Sequence, residues 1–166
     1  MIILGIDPGL AIVGWGVIDY NGSHFKTLGY GSIETPAGME TEQRLSLIFD
    51  GITQLINRYH PEHIAVEELF FNTNQTTGIR VAEARGVIIM CAYRMGVKVF
   101  EYTPLQVKQA VVGYGRAEKK QVITMVTMFL GLSKPPKPDD TADALAIAVC
   151  HAHSGTSKLA DYYNKK

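Results

Sequence analysis

The first thirty-five residues constrain the fold most. Residues 2–6 form a short apolar run that stops at Asp7-Pro8-Gly9, a turn signal. Residues 12–20 carry Val, Ile, Trp and Tyr in an extended pattern and end at Asn21-Gly22, a strong hairpin dipeptide. Residues 25–35 supply a third extended run. Three strands in succession, joined by short turns, pair with their chain neighbours as an antiparallel meander.

After the meander the pattern alternates. Arg44, Leu45, Ile48, Phe49, Ile52, Leu55 and Ile56 recur at spacings of three and four, which predicts a helix ending near Tyr59-His60-Pro61. Residues 64–69 read as a buried strand with Glu67 and Glu68 at its far end. A polar loop over 70–77 leads into a long helix over 77–94, stopped by Gly96. Its stretch Val87-Ile88-Ile89-Met90 is apolar almost all round, so it needs cover on both sides, from its own domain or from a second subunit. Residues 97–102 read as the last strand. Pro104 opens a helix that Gly113-Tyr114-Gly115 breaks, and further helices follow over 117–130 and 139–153. The order predicts an α/β chain with a mixed five-stranded sheet flanked by helices. Residues 1–154 are expected to form one domain and 155–166 a polar, frayed tail.

The bulk properties narrow the classes. With 46% hydrophobic residues in 166, the chain can bury a core without disulfides. Cys91 and Cys150 lie in apolar stretches and read as buried free thiols. His151 and His153 are two apart, a weak metal signal, and a solvated helix end is the expectation for them. No run approaches the roughly 20 apolar residues of a membrane span, and the first residues lack the basic start of a signal peptide. A soluble cytoplasmic protein with no membrane partner is expected. The formal net charge of zero argues against a polyanion partner, but its distribution argues for one. Residues 1–79 hold 3 Lys/Arg against 9 Asp/Glu, 80–137 hold 10 against 3, and 138–166 hold 3 against 4. A basic middle flanked by acidic ends suits a protein that grips a polyanion beside a group of carboxylates.

Those carboxylates carry the chemistry. Asp7 ends the first strand, Glu67 and Glu68 end the fourth, and Asp140 and Asp143 open the last helix on one face. Taken singly, each has another use. Asp7 could initiate a turn before Pro-Gly, the glutamates could lie on the surface, and Asp139 or Asp140 could cap the helix. Asp143 is a turn further in and is followed by Ala-Leu-Ala-Ile-Ala, which capping does not explain. Several acids meeting beside apolar segments call for a cation, because lone buried carboxylates are costly. Oxygen ligands suit Mg²⁺ and also Mn²⁺. Two such ions about 3.5–4 Å apart can clamp both oxygens of a phosphodiester displacement. In this reading Asp7 bridges the two ions.

The motifs Ile3-Leu4-Gly5-Ile6-Asp7-Pro8-Gly9, Ala65-Val66-Glu67, Ala84-Arg85-Gly86, Gln106-Val107-Lys108-Gln109, Ala117-Glu118-Lys119 and Asp140-Thr141-Ala142-Asp143-Ala144-Leu145-Ala146 stand in this order over about residues 1–150. The series resembles the RuvC family of Holliday junction resolvases. The resemblance implies an RNase H-like fold, a homodimer, and Mg²⁺-dependent paired nicking of four-way DNA junctions that leaves 5′-phosphate and 3′-hydroxyl ends. It implies RuvA and RuvB, the branch-migration proteins, as partners. It places the catalytic, metal-holding acids at Asp7, Glu67, Asp140 and Asp143, the stacking aromatic at Phe70, and the phosphate-contacting lysines at Lys108 and Lys119. The neighbours Glu68 and Asp139 depart from a simple match. Strand alternation lets only one of Glu67 and Glu68 face the ions, and the motif favours Glu67.

The residues themselves agree in part. Phe70 and Phe71 open a polar loop, where base stacking gives a ring a use. Arg80 and Arg85 lie five apart on the long helix, within reach of backbone phosphates. Three rival functions stand beside the resolvase: an RNase H-like nuclease acting on RNA, a non-catalytic junction-binding module, and an actin-like or sugar-kinase ATPase. The last shares only Gly5-Ile6-Asp7-Pro8-Gly9 and needs a second lobe.

Overall fold

The computed structural model describes residues 1–69 and 75–155. The elements run β1 (Ile2–Asp7), β2 (Ile12–Tyr20), β3 (Phe25–Glu34), α1 (Thr41–Tyr59), β4 (His63–Glu67), α2 (Gln75–Arg94), β5 (Lys98–Tyr102), α3 (Pro104–Val112), α4 (Lys119–Phe129) and α5 (Asp139–Gly155). They build one five-stranded sheet in the order β3-β2-β1-β4-β5. The β1-β2-β3 meander is antiparallel, and β4 and β5 join β1 in parallel. This is the mixed sheet expected from the pattern.

The β2-β3 connection is the four-residue loop that the runs over 12–20 and 25–35 leave, with Tyr20 paired to Phe25. Asn21 shapes it: its side-chain oxygen accepts from the backbone N–H groups of Ser23 and His24. The fourth strand stops at Glu67 rather than 69, and α2 starts at Gln75, inside the stretch read as loop. The helix expected from 117 begins at Lys119, behind a capping box of Glu118 and Gln121.

Strand alternation sends side chains to two separate cores. Ile3 and Ala65 face α3, α4 and α5, in a cluster with Val107, Val126 and Leu145. Leu4, Ile6, Ile64 and Val66 face α1 and α2, packing on Ile48, Ile52, Ala84 and Ile88. Fully burying an aliphatic side chain of this size contributes about 1.5–3 kcal/mol, so both layers hold the sheet firmly. The helix α5 lies almost on the strands. A Cβ on Gly5 would stand 2.1 Å from the Ala144 carbonyl oxygen, and one on Gly14 2.1 Å from that of Asp140. Glycine at these two strand positions lets the N-terminal half of α5 settle onto the ends of β1 and β2.

The histidines correct an expectation. His153 is exposed, but His151 is fully buried. Its Nδ1 meets the Tyr102 hydroxyl at 2.6 Å and its Nε2 meets His63 Nδ1 at 2.9 Å. Both ring nitrogens are thus satisfied in the neutral form, and burial drives the His151 pKa down to about 4. Sequence spacing put His151 at a solvated helix end; the parallel β4-β5 pair covers it instead. Cys91 and Cys150 are buried free thiols, as expected. Burial pushes the Cys150 thiol up to about 12, leaving it unreactive. No helix among the described residues is long and apolar enough to cross a membrane.

Candidate active site

The acids are brought together by register. In the parallel β1-β4 pair Ile6 lies opposite Val66, so Asp7 and Glu67 come next on adjacent strands at the same sheet edge. Alternation turns both toward the α5 face, where Ile3, Gly5 and Ala65 already point. The close seat of α5 on Gly14 sets Asp140 beside this edge, and Asp143 follows one turn later. Glu68 has left the strand. Its backbone N–H donates to the Tyr102 carbonyl and its side chain is exposed.

Electrostatics ties the four into one site. The Asp7 pKa is pushed up to about 8, first by burial and then by the charges of Asp143, Glu67 and Asp140. Burial and Asp143 raise Glu67 as well, against the pull of Lys119 and Lys108. Burial also raises Asp143, although Lys119 opposes this through a direct hydrogen bond. Lys119 Nζ donates to Asp143 Oδ2 at 2.8 Å and stands 3.9 Å from Asp139. Burial works against the Lys119 charge, but that bond and the nearby aspartates outweigh it and raise its pKa. Among the described residues no protein donor bonds the Asp7 carboxyl.

The donor set fits a hard divalent cation. Burial and neighbouring carboxylates raise the pKa values of Asp7, Glu67 and Asp143, an electrostatic cost that a cation would relieve. As they stand, no three ligating side chains among the described residues already enclose an ion-sized point. The acids repel one another, and Lys119 is bonded to one of them.

Two cavities flank the acids. One, of about 180 Å³, is lined by Glu67, Asp143, Lys108, Lys119 and Val107. It unites the two lysines expected at phosphates with two of the expected acids. The other, of about 420 Å³, is lined by Asp7, Asp140, Gly9, Arg44 and Arg80. Arg80 is exposed there. Arg85 is placed differently: its Nη2 pairs with Glu101 Oε2 at 2.6 Å, and its Nε is buried without a partner. Phe70 lies outside the described residues.

Arg44 is the residue that sequence reasoning passed over. It occupies a core position in the α1 periodicity, and a charge at such a position was the available signal. It is 7% exposed, and its Nε donates to Thr35 Oγ1, whose own hydroxyl donates to the Leu10 carbonyl.

Comparison with known proteins decides the family. The family model described as crossover junction endodeoxyribonuclease RuvC matches residues 3–151. The chain belongs to the RuvC family. A RuvC of Alkaliphilus metalliredigens is 59% identical over 155 residues, covering 93% of this chain and 94% of that one. The RuvC of Clostridioides difficile is 58% identical over 154 residues, covering 93% and 91%. Among solved structures, Thermus thermophilus RuvC in complex with a Holliday junction substrate superposes with a TM-score of 0.88 at 38% identity, over 92% of this chain and 93% of that one. The five-stranded sheet with its flanking helices is thus the RNase H-like fold of the RuvC resolvases. Membership makes the chain a metal-dependent crossover junction endodeoxyribonuclease.

Proposed function

We propose that this chain resolves Holliday junctions by hydrolysing phosphodiesters at the Asp7, Glu67, Asp140 and Asp143 site, making paired symmetric nicks that leave 5′-phosphate and 3′-hydroxyl ends. The observation that carries the reading is the meeting of four acids from β1, β4 and α5 at one sheet edge, electrostatically coupled, with Lys108 and Lys119 beside them. The four carboxylates would hold Mg²⁺, two ions per site, with Mn²⁺ able to replace it. Such ions activate water and stabilise charge on the phosphate oxygens.

The chain's own residues do the rest. Lys108 and Lys119 put positive charge in the cavity next to Glu67 and Asp143, where a phosphodiester would lie. Arg80 adds charge on the opposite side of Asp7. Phe70, three residues after Glu67, stacks on a base at the junction. Arg85 is committed to Glu101, so its contribution to DNA is to brace α2 rather than to touch phosphate.

Paired nicking calls for two sites related by twofold symmetry, and α2 offers a surface for a homodimer. Ile79, Gly86, Met90 and Tyr93 recur at helical spacing on its outer side. Ile79 is 56% exposed, Met90 48% and Tyr93 83%, an apolar stripe that a second copy would cover. RuvA and RuvB are the partners in this reading, and the cytoplasm is its setting.

Synthetic four-way junctions, linear duplexes and RNA–DNA hybrids, compared at equal concentration in Mg²⁺, test the proposal. The junction should be cut at symmetric positions, and the nicks should be sealed by DNA ligase. Preferential cutting of the hybrid would move the chain to an RNA-directed role.

A further inference from the structure

The four acids divide between two cavities, and only one of these has a recognised task. Glu67 and Asp143 line the smaller, with the two lysines. Asp7 and Asp140 line the larger, whose cationic groups are Arg44 and Arg80. We propose that this larger cavity is a second phosphate subsite, in which Arg44 and Arg80 grip the phosphodiester adjacent to the scissile one on the same strand. This rests on the nuclease reading and names how the site holds its substrate.

Arg44 carries the argument. A guanidinium has five N–H donors in a rigid fork. Its Nε is used on Thr35, which fixes the plane of the group. The two terminal amino groups have no acceptor among the described residues, although the side chain is almost wholly buried and lines the cavity wall. Nor does Arg44 serve as counter-ion to the acids. Neither it nor Arg80 forms an ion pair with Asp7, Asp140 or any other described carboxylate. A buried cation with free donors facing an open cavity is completed by an anion. Planar donors suit a phosphate, which accepts two parallel hydrogen bonds.

Position supplies the ligand class. The lysine cavity takes Glu67 and Asp143 into its lining and the arginine cavity takes Asp7 and Asp140, so the acids are shared between two basic cavities. A strand whose scissile phosphate lies over the acids would present neighbouring phosphates to the basic groups on either side. Holding the next phosphate on a rigid arginine fixes the strand's direction through the site. Arg80, on the exposed wall, closes the cavity from α2.

Single-turnover nicking of junctions with one uncharged methylphosphonate at each position around the cut tests this. In the wild-type protein, replacing the adjacent phosphate should slow nicking about tenfold or more, the scale of a lost charge-assisted hydrogen bond. In Arg44→Gln the unmodified junction should be slowed by a similar factor, and that one replacement should then cost less than twofold. Replacements elsewhere should slow the variant and the wild type alike. Arg80→Gln, on the exposed wall where folding is not at risk, should show a weaker form of the same non-additivity. If Arg44 only supports the loop after Asp7, its loss will multiply equally with every replacement, and the proposal is overturned. It is overturned without any variant if no flanking replacement slows the wild type. Failure of the wild type to nick the unmodified junction would instead remove the nuclease reading itself.

Discussion

Replacing Asp7 by Asn should make the metal-free protein more stable while abolishing its activity. An ordinary aspartate has a pKa of 3.8, and in the fold Asp7 sits at about 8. Between those values the unfolded chain has released the proton and the folded one retains it. Stability therefore falls as pH rises from about 4 to 8. At pH 7 the ceiling on this loss is about 4 kcal/mol, at roughly 1.4 kcal/mol per unit. The acids titrate together, so removing one relieves only part, and a gain of about 1–3 kcal/mol is expected. Urea unfolding in EDTA at pH 5, 6, 7 and 8 measures it. The advantage of Asp7→Asn should grow across the series and shrink when Mg²⁺ is added, because a cation then offsets the same repulsion in the wild type. A variant less stable than the wild type throughout, or a difference flat with pH, would refute the reasoning.

Other perturbations probe separate parts of the account. Lys119→Met should slow nicking at least tenfold and lower the salt dependence of junction binding by about one unit of slope, as read by fluorescence anisotropy across a salt series. His151→Phe should cost about 2–4 kcal/mol through the orphaned Tyr102 and His63 groups. It should also remove an acid sensitivity: the lowered His151 pKa makes the wild type lose stability as pH falls from 6.5 toward 4, and melting curves over that range separate the two. Gly14→Ala should push α5 off the sheet, cost several kcal/mol and depress nicking even in the molecules that remain folded. Met90→Glu with Tyr93→Glu should give monomers in sedimentation velocity and single, unpaired nicks.

What could be read before the structure follows from which forces are local. The meander was legible because Pro8-Gly9 and Asn21-Gly22 punctuate strands whose pairing is set by adjacency. Asp7 and Glu67 were legible as strand-end acids, whereas Glu68 is set apart because the strand stops one residue before it, not by alternation within the strand. Their meeting with Asp140 depends on Gly5 and Gly14 admitting α5, a contact between segments more than 120 residues apart that no local pattern encodes. His151 was misplaced for the same reason: what buries it is β4 and β5, not its own helix. Arg85 looked free because its partner Glu101 lies on another element. Arg44 was in view at a core position, but only the tertiary structure shows the cavity that its unused donors face.

The central proposal is one metal-dependent hydrolytic site formed by the four acids. Its most direct test is the rate of junction nicking against free Mg²⁺ for the wild type and for Asp7→Asn, Glu67→Gln, Asp140→Asn and Asp143→Asn. The wild type should be silent in EDTA and switch on with Mg²⁺, and each variant should be slower by about 100-fold or more while still binding the junction. Nicking in EDTA, or any one of the four variants cutting at the wild-type rate, would contradict it.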